Sequence, residues 1–266
     1  MDTAGYETMT QTSEPEQQKK YSYVESLRAL LQFTTILPIG ELAPFDAFSQ
    51  RTWLYPCAGY VTGGLTAVLI LGLGAAGMEG MAAAVLSLGC LLLLSGANHL
   101  DGLMDFGDGI MAHGSREKRI KALTDRQMGT GACALGMLVI LFTVAVLAEL
   151  NPIMMVVAVL CAEVGAKGAA AVLTAIGKPF HEGLHATLHA KTQTKMLVCS
   201  VILCLPLCML PIPVWIIGMN LLIMVLVPLC MRFFAYRLFG GVNGDVVGAT
   251  HEITRAIIIA VVATLL

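Results

Sequence analysis

Long apolar runs fill most of the chain, and short polar segments separate them. A helix that crosses a bilayer needs about 20 mostly apolar residues. Runs of that kind predict spans near residues 54–78, 81–100, 131–150, 153–176 and 196–217, with two shorter ones at 219–231 and 253–266. The expected fold is all-α: a polytopic integral membrane protein of about 6–8 transmembrane helices. The opening stretch, MDTAGYETMTQTSEPEQQKK, is polar and lacks the apolar core of a signal peptide. The domain plan is therefore a polar, disordered tail over residues 1–24 and a single transmembrane catalytic domain over 25–266.

Composition agrees with this reading. Hydrophobic residues make up 57% of the 266 positions and charged residues only 13%, against about 25% charged in soluble domains. A net charge of −2 gives no electrostatic reason to expect nucleic acid as a partner. The distribution of charge is more informative. Threaded from a cytoplasmic N-terminus, the turns near Glu79, Asn151 and 211–213 carry no Lys or Arg. The opposite loops hold nearly all of them, from Arg28 and Arg51 through the 116–126 cluster to Lys178, Arg232 and Arg255; Lys167 alone falls inside a span. Positive charge marks the cytoplasmic side, and the carboxylates collect on the same side. The chemistry is expected at the cytoplasmic face of a multi-pass protein of the cell membrane. The eight cysteines contain no CxxC pair and lie in or beside apolar segments, so they are expected to be buried thiols.

One polar stretch stands out: NHLDGLMDFGDGIMAHGSREKRIKALTDRQMGTG, residues 98–131. Asp101, Asp105 and Asp108 are spaced four and three apart, which places them on one face of a helix, Asp101 and Asp105 about 6 Å apart along the axis. Like charges on one stripe repel, and each is costly at the edge of the hydrocarbon. A hard divalent cation, Mg²⁺ or Mn²⁺, resolves the conflict, with phosphate oxygens completing its shell. Gly102, Gly107 and Gly109 are poor helix-interior residues and suggest close approach by a neighbouring helix or by substrate. Downstream, Arg116, Arg119, Lys121 and Arg126 form a basic cluster suited to a phosphoanhydride, and Asp125 returns a carboxylate. A solvated acidic turn followed by a basic loop is the bland alternative. An ion or proton pathway explains the acids but not the attached basic cluster, and a transporter would place its ion site near the bilayer midplane between repeats.

LDGLMDFGDG followed by TDRQMGT resembles the signature of the cobalamin synthase (adenosylcobinamide-GDP ribazoletransferase) family. ALLQFTTILPIG, YPCAGYVTGG, EGLH at 182–185 and FGGVNGDVVGATHE are similar to further elements of that family, in the same order, so the resemblance runs from Leu27 to the end. Two positions depart from the family pattern: Thr124 stands in place of Lys, and Arg126 in place of Ser. The resemblance implies a Mg²⁺-dependent membrane transferase. Its expected partners are adenosylcobinamide-GDP, α-ribazole or α-ribazole 5′-phosphate, and the lipid bilayer; a homo-oligomer is allowed. Asp101, Asp105 and Asp108 are then the expected metal ligands, with Asp125 or Asp108 catalytic. Asn98, Arg116, Arg119, Lys121, Arg126, Glu182 and Asp245 are expected to bind substrate or phosphate. CDP-alcohol phosphotransferases, which also pair a DG-led Asp motif with membrane helices, are the nearest alternative.

Other features have blander readings. HEGLH at 181–185 matches the HExxH pattern of zinc proteases, but Pro179 and Gly183 interrupt the helix that pattern needs. His181, His185 and His189 read as a polar helix face. His99 and His113 flank the acidic motif and are read as structural. Glu163 and Lys167, four apart within a span, read as a buried ion pair. Asp245 reads as part of a second functional loop, GGVNGDVVGAT.

Overall fold

The computed structural model describes residues 20–265, and among these the only regular elements are helices and one isolated β-bridge. The tail reading for residues 1–19 lies outside the described residues. The chain enters α1 (Tyr23–Thr34) through a capping box: Ser22 Oγ accepts from Glu25 N–H at 3.1 Å while Ser22 N–H donates to the Glu25 carboxylate at 2.7 Å. A short α2 (Phe45–Ser49) leads to α3 (Tyr55–Ala75), α4 (Gly80–Leu94), α5 (Asn98–Met111), α6 (Arg116–Leu123), α7 (Thr130–Ala148) and α8 (Pro152–Ile176). Then follow α9 (Leu184–Lys191), α10 (Leu197–Cys204), α11 (Val214–Leu238) and α12 (Gly244–Leu265).

Five helices are long and apolar enough to cross a membrane: Thr52–Ala75, Thr130–Ala148, Pro152–Ile176, Val214–Leu238 and Gly244–Leu265. Two sharply bent pairs raise the number to seven if each counts as one span. The protein is an all-α, multi-pass membrane protein. Exposed Leu, Met, Val, Trp and Phe side chains cover α7 and α11, as a lipid-facing surface requires.

α8 is the central post, with every residue from Val157 to Ala175 buried except Leu160. Its Ala- and Gly-rich sequence lets neighbours approach closely, the usual means of packing helices in lipid. A Cβ added to Gly59 of α3 would lie 2.6 Å from the Glu163 carbonyl oxygen, so α3 and α8 meet backbone to backbone there.

The sequence-based boundaries need four corrections. The span expected at 81–100 ends at Leu94; Gly96 and Ala97 take left-handed φ of 59° and 56°, and α5 leaves at 94° to α4. No proline signals that break. The spans expected at 196–217 and 219–231 divide elsewhere: a one-turn 3-10 segment follows α10, Pro211 and Pro213 stop it, and a single helix runs from Val214 to Leu238. The last helix begins at Gly244, not at 253, so Asp245 occupies a helical first turn instead of a loop. Arg255, counted among the loop charges, is buried in the middle of that helix.

The burial of Arg255 rearranges the expected ion pair. Glu163 accepts from Arg255 at 3.4 Å and from the Thr62 hydroxyl at 2.6 Å, and Arg255 also bonds Glu252. Lys167 instead points to His99 Nε2 at 3.4 Å. Two cations thus meet two carboxylates, and the polar cluster that joins α3, α5, α8 and α12 is neutral in sum. All eight cysteines are free; only Cys161 and Cys204 are buried, while Cys208 and Cys230 are exposed on apolar helices.

Candidate active site

Three short segments converge around the start of α5. The 177–183 segment pairs with the segment before α12 through a β-bridge between Pro179 and Val242, where Val242 N–H donates to the Lys178 carbonyl at 2.9 Å. That pairing brings His181 beside the first turn of α12. α12 in turn lies hard against α5: a Cβ on Gly102 would sit 2.9 Å from the Asp245 carbonyl oxygen. Only glycine permits this approach, and it sets Asp245 next to Asp101 and Asp105. Asn243 fixes the carboxylate. Its amide donates to Asp245 Oδ2 at 2.6 Å, while its own side-chain oxygen accepts from Val246 N–H at 3.1 Å.

The result is an open cavity of about 490 Å³ lined by Asp101, Asp105, Asp125, Arg126, His181 and Asp245 among others. Asp105 feels the charges of Asp245, Asp101 and Asp108. Three carboxylates from two helices therefore face one open space with a single lining guanidinium, Arg126. Such a donor set of hard oxygens fits Mg²⁺, which keeps several waters and shares substrate phosphates in preference to an all-protein cage. Among the described residues the one group of His, Cys, Asp or Glu ligand atoms that all fall within 4.8 Å is His99, His251 and Glu252. There, Lys167 and Arg255 already supply the positive charge that a metal would bring.

The remaining expected residues disperse. Asp108 turns away from the cavity: its two oxygens accept from Gly129 N–H at 2.7 Å and Ala132 N–H at 2.9 Å, capping the N-terminus of α7. A Cβ on Gly107 would meet the Gly131 carbonyl at 2.6 Å, so α5 and α7 touch as closely as α5 and α12. Asp125 lines the cavity, with one oxygen accepting from Gln127 N–H at 3.1 Å. Arg119 donates to the Ile110 carbonyl at 2.7 Å and so closes the C-terminal end of α5. Arg116 lies against Gly240, and Lys121 borders a shallow depression beside Asp125 and Arg126. Glu182 is exposed and not part of the cavity lining. Asn98 lines a second, adjoining cavity.

The HEGLH segment is no zinc site. α9 begins only at Leu184, so His181 is off the helix that carries His185 and His189. His185 is buried with Nε2 on the Gly177 carbonyl at 2.8 Å, and His189 Nδ1 bonds the Thr174 carbonyl at 2.8 Å. Of the expected polar helix face, His185 and His189 form a pair of rings that pins α9 to the end of α8, while His181 and His185 also line the cavity. Residues that sequence reasoning left out of the site are His181 and Asn243. The spacing of Asn243, two positions before Asp245, is the one local signal that could have singled it out.

Comparison with known proteins identifies the family. The family model for cobalamin-5-phosphate synthase matches residues 26–263. An adenosylcobinamide-GDP ribazoletransferase from Methanocella arvoryzae is 35% identical over 91% of this chain and 97% of its own. Proteins of the same name from Methanosarcina barkeri and Bradyrhizobium diazoefficiens are 33% and 29% identical, over 92% and 90% of this chain and 94% of each relative. No solved structure matches. On this evidence the chain belongs to the cobalamin-5-phosphate synthase, or adenosylcobinamide-GDP ribazoletransferase, family of membrane transferases.

Proposed function

We propose that the protein transfers the adenosylcobinamide-phosphate group of adenosylcobinamide-GDP to a secondary ribose hydroxyl of α-ribazole or of its 5′-phosphate, in which the 5′-oxygen is already esterified. The oxygen of that ribose hydroxyl forms a new bond to the phosphorus attached to cobinamide, the phosphoanhydride bond breaks, and GMP leaves with the bridging oxygen. The products are adenosylcobalamin or its phosphate. The observation that carries this reading is the cavity with Asp101, Asp105 and Asp245 on one wall and Asp125 and Arg126 on another.

Phosphoryl transfer asks a protein mainly for positioning and charge neutralisation. Asp101, Asp105 and Asp245 would hold Mg²⁺, or Mn²⁺ in its place. When bound, the ion supplies neutralising charge to the diphosphate and the leaving oxygen. Arg126 donates to phosphate oxygens, with Lys121 and Arg116 adding positive potential at the rim. Asp125 accepts the proton released by the attacking hydroxyl. Asp108 is a positioning residue: by capping α7 it holds the 124–129 loop, and with it Asp125 and Arg126, over α5. The positive charge of the loops on this side supports a cytoplasmic position for this face, where the nucleotide ends of both substrates would enter.

The test uses full-length protein purified in detergent. GMP release should require adenosylcobinamide-GDP, α-ribazole and Mg²⁺ together. GMP release that is indifferent to α-ribazole would make the protein a hydrolase and defeat the reading.

A further inference from the structure

Behind the acidic cavity lies a second one of about 290 Å³, and the two share Leu184, His185 and Gly244 as a common wall. Three buried polar atoms without a hydrogen-bond partner, the Thr174 hydroxyl, His185 Nδ1 and His99 Nδ1, belong to side chains that line it. Buried polar atoms are nearly always paired in native structures, so three around one space mark a ligand or water site.

Their hydrogen-bonding roles can be read from the partners on the other side of each ring. His185 Nε2 faces a carbonyl, which only accepts, so Nε2 carries the proton and Nδ1 is an acceptor. Lys167 can only donate, so His99 Nε2 accepts and Nδ1 carries the proton. The unpartnered groups around the cavity are therefore one N–H donor, one acceptor and one hydroxyl, and the Asn98 amide also lines it. The rest of the wall is largely apolar and aromatic, with Phe33, Tyr55, Leu188 and Val247.

We infer that this second cavity binds the planar base and inner sugar edge of the nucleoside acceptor, with its attacking ribose hydroxyl directed through the shared wall to the carboxylates. The inference rests on the reaction proposed above. Size excludes the corrinoid, because ligand pockets start at about 300 Å³ and this one suits a single flat group. Polarity separates the two nucleosides of the reaction. Guanine presents several donors and acceptors around its rim, and in a wall of this kind most would be left unpaired. A benzimidazole base has one free ring nitrogen and apolar edges. His99 Nδ1–H matches that nitrogen, and Thr174 and His185 are left for sugar hydroxyls.

The test is equilibrium dialysis of α-ribazole against full-length protein in detergent. Thr174→Val removes a hydroxyl that bonds nothing within the protein, so folding is preserved; its Kd for α-ribazole should rise about three- to tenfold, the worth of one neutral hydrogen bond. Val247→Phe fills the space and should weaken binding further, with size-exclusion behaviour checking that it stays folded. Excess GMP should not displace α-ribazole. Wild-type Kd in both variants, competitive displacement by GMP, or no binding of α-ribazole to the native protein would each overturn the inference. Asp101→Asn separates the two claims, because it should bind α-ribazole normally while losing turnover. Native protein that binds α-ribazole in this cavity but releases no GMP would defeat the reaction and leave the cavity assignment standing.

Discussion

Gly102 is where helix packing and chemistry meet, and Gly102→Ala is the most discriminating single substitution. The new methyl carbon would lie 2.9 Å from the Asp245 carbonyl oxygen and 3.0 Å from its Cα, whereas ordinary contact begins near 3.4 Å. Backbone on both sides cannot yield as a side chain would, so α5 and α12 must part by about 0.5 Å. Overpacking of this kind costs about 1–3 kcal/mol, and replacing a helix-interior glycine by alanine returns about 1 kcal/mol. The net loss of stability is about 0–2 kcal/mol, too small to unfold the protein. The displacement itself matters more. It moves Asp245 relative to Asp101 and Asp105, and a misplacement of about 1 Å is worth about a hundredfold in rate. Half of that predicts about a tenfold fall in turnover. The assay is GMP release at saturating substrates, with thermal denaturation in detergent measured in parallel. Gly89→Ala in α4 is the control: nothing lies within 4 Å of its Cβ, so it should keep full activity and gain up to about 1 kcal/mol. Full turnover in Gly102→Ala would refute the role given to this contact.

Asp101→Asn and Asp105→Asn should each lower turnover by at least about a hundredfold, as loss of a charge-stabilising group at a phosphoryl-transfer site does, with unaltered size-exclusion profiles; near-normal rates at saturating Mg²⁺ would remove them from the metal site. Arg255→Leu leaves Glu163 and Glu252 buried without their cation, and should destabilise the protein by about 3–5 kcal/mol, seen as a large drop in thermal denaturation temperature; an unchanged temperature would show that the cluster contributes nothing. In a background lacking the eight native cysteines, cysteines at exposed Ser115 and Gln193 should react with an impermeant maleimide from the cytoplasmic side and one at exposed Asn151 only from the other. Labelling of Ser115 and Gln193 from opposite sides would break the shared-face arrangement.

The all-α membrane architecture was legible because hydrocarbon allows few ways to satisfy a backbone, and long apolar runs announce the helical one. That Asp101 and Asp105 share a face was legible for a similar reason: a spacing of four on a helix leaves little choice. The same spacing misleads for Asp108. It lies about 10 Å further along the axis than Asp101, far enough to meet a different neighbour, and that neighbour turned out to be the N-terminus of α7. Arg119 was read as a phosphate ligand for its charge, yet it spends that charge on the open carbonyls of α5. The bend at 95–97 joins Gly96, an ordinary helix-stop residue, to a left-handed Ala97, which no local preference signals. The burial of Arg255 and the division of labour between Glu163, Glu252 and Lys167 follow from how four helices meet, and periodicity in one helix carries no record of that. The second cavity is invisible in the sequence for the same reason, since its walls come from α1, α3, α5, α8, α9 and α12.

The most direct test of the account follows the fate of one oxygen atom. Full-length protein would be incubated with adenosylcobinamide-GDP, Mg²⁺ and α-ribazole carrying ¹⁸O at its secondary ribose hydroxyls, and the products resolved by mass spectrometry. The account predicts GMP without label and an equal amount of a corrinoid–ribazole phosphodiester that retains the label, both lost when Mg²⁺ is withheld or Asp101 is replaced by Asn. Labelled guanosine-phosphate–ribazole with free adenosylcobinamide phosphate, or no GMP at all, would contradict it.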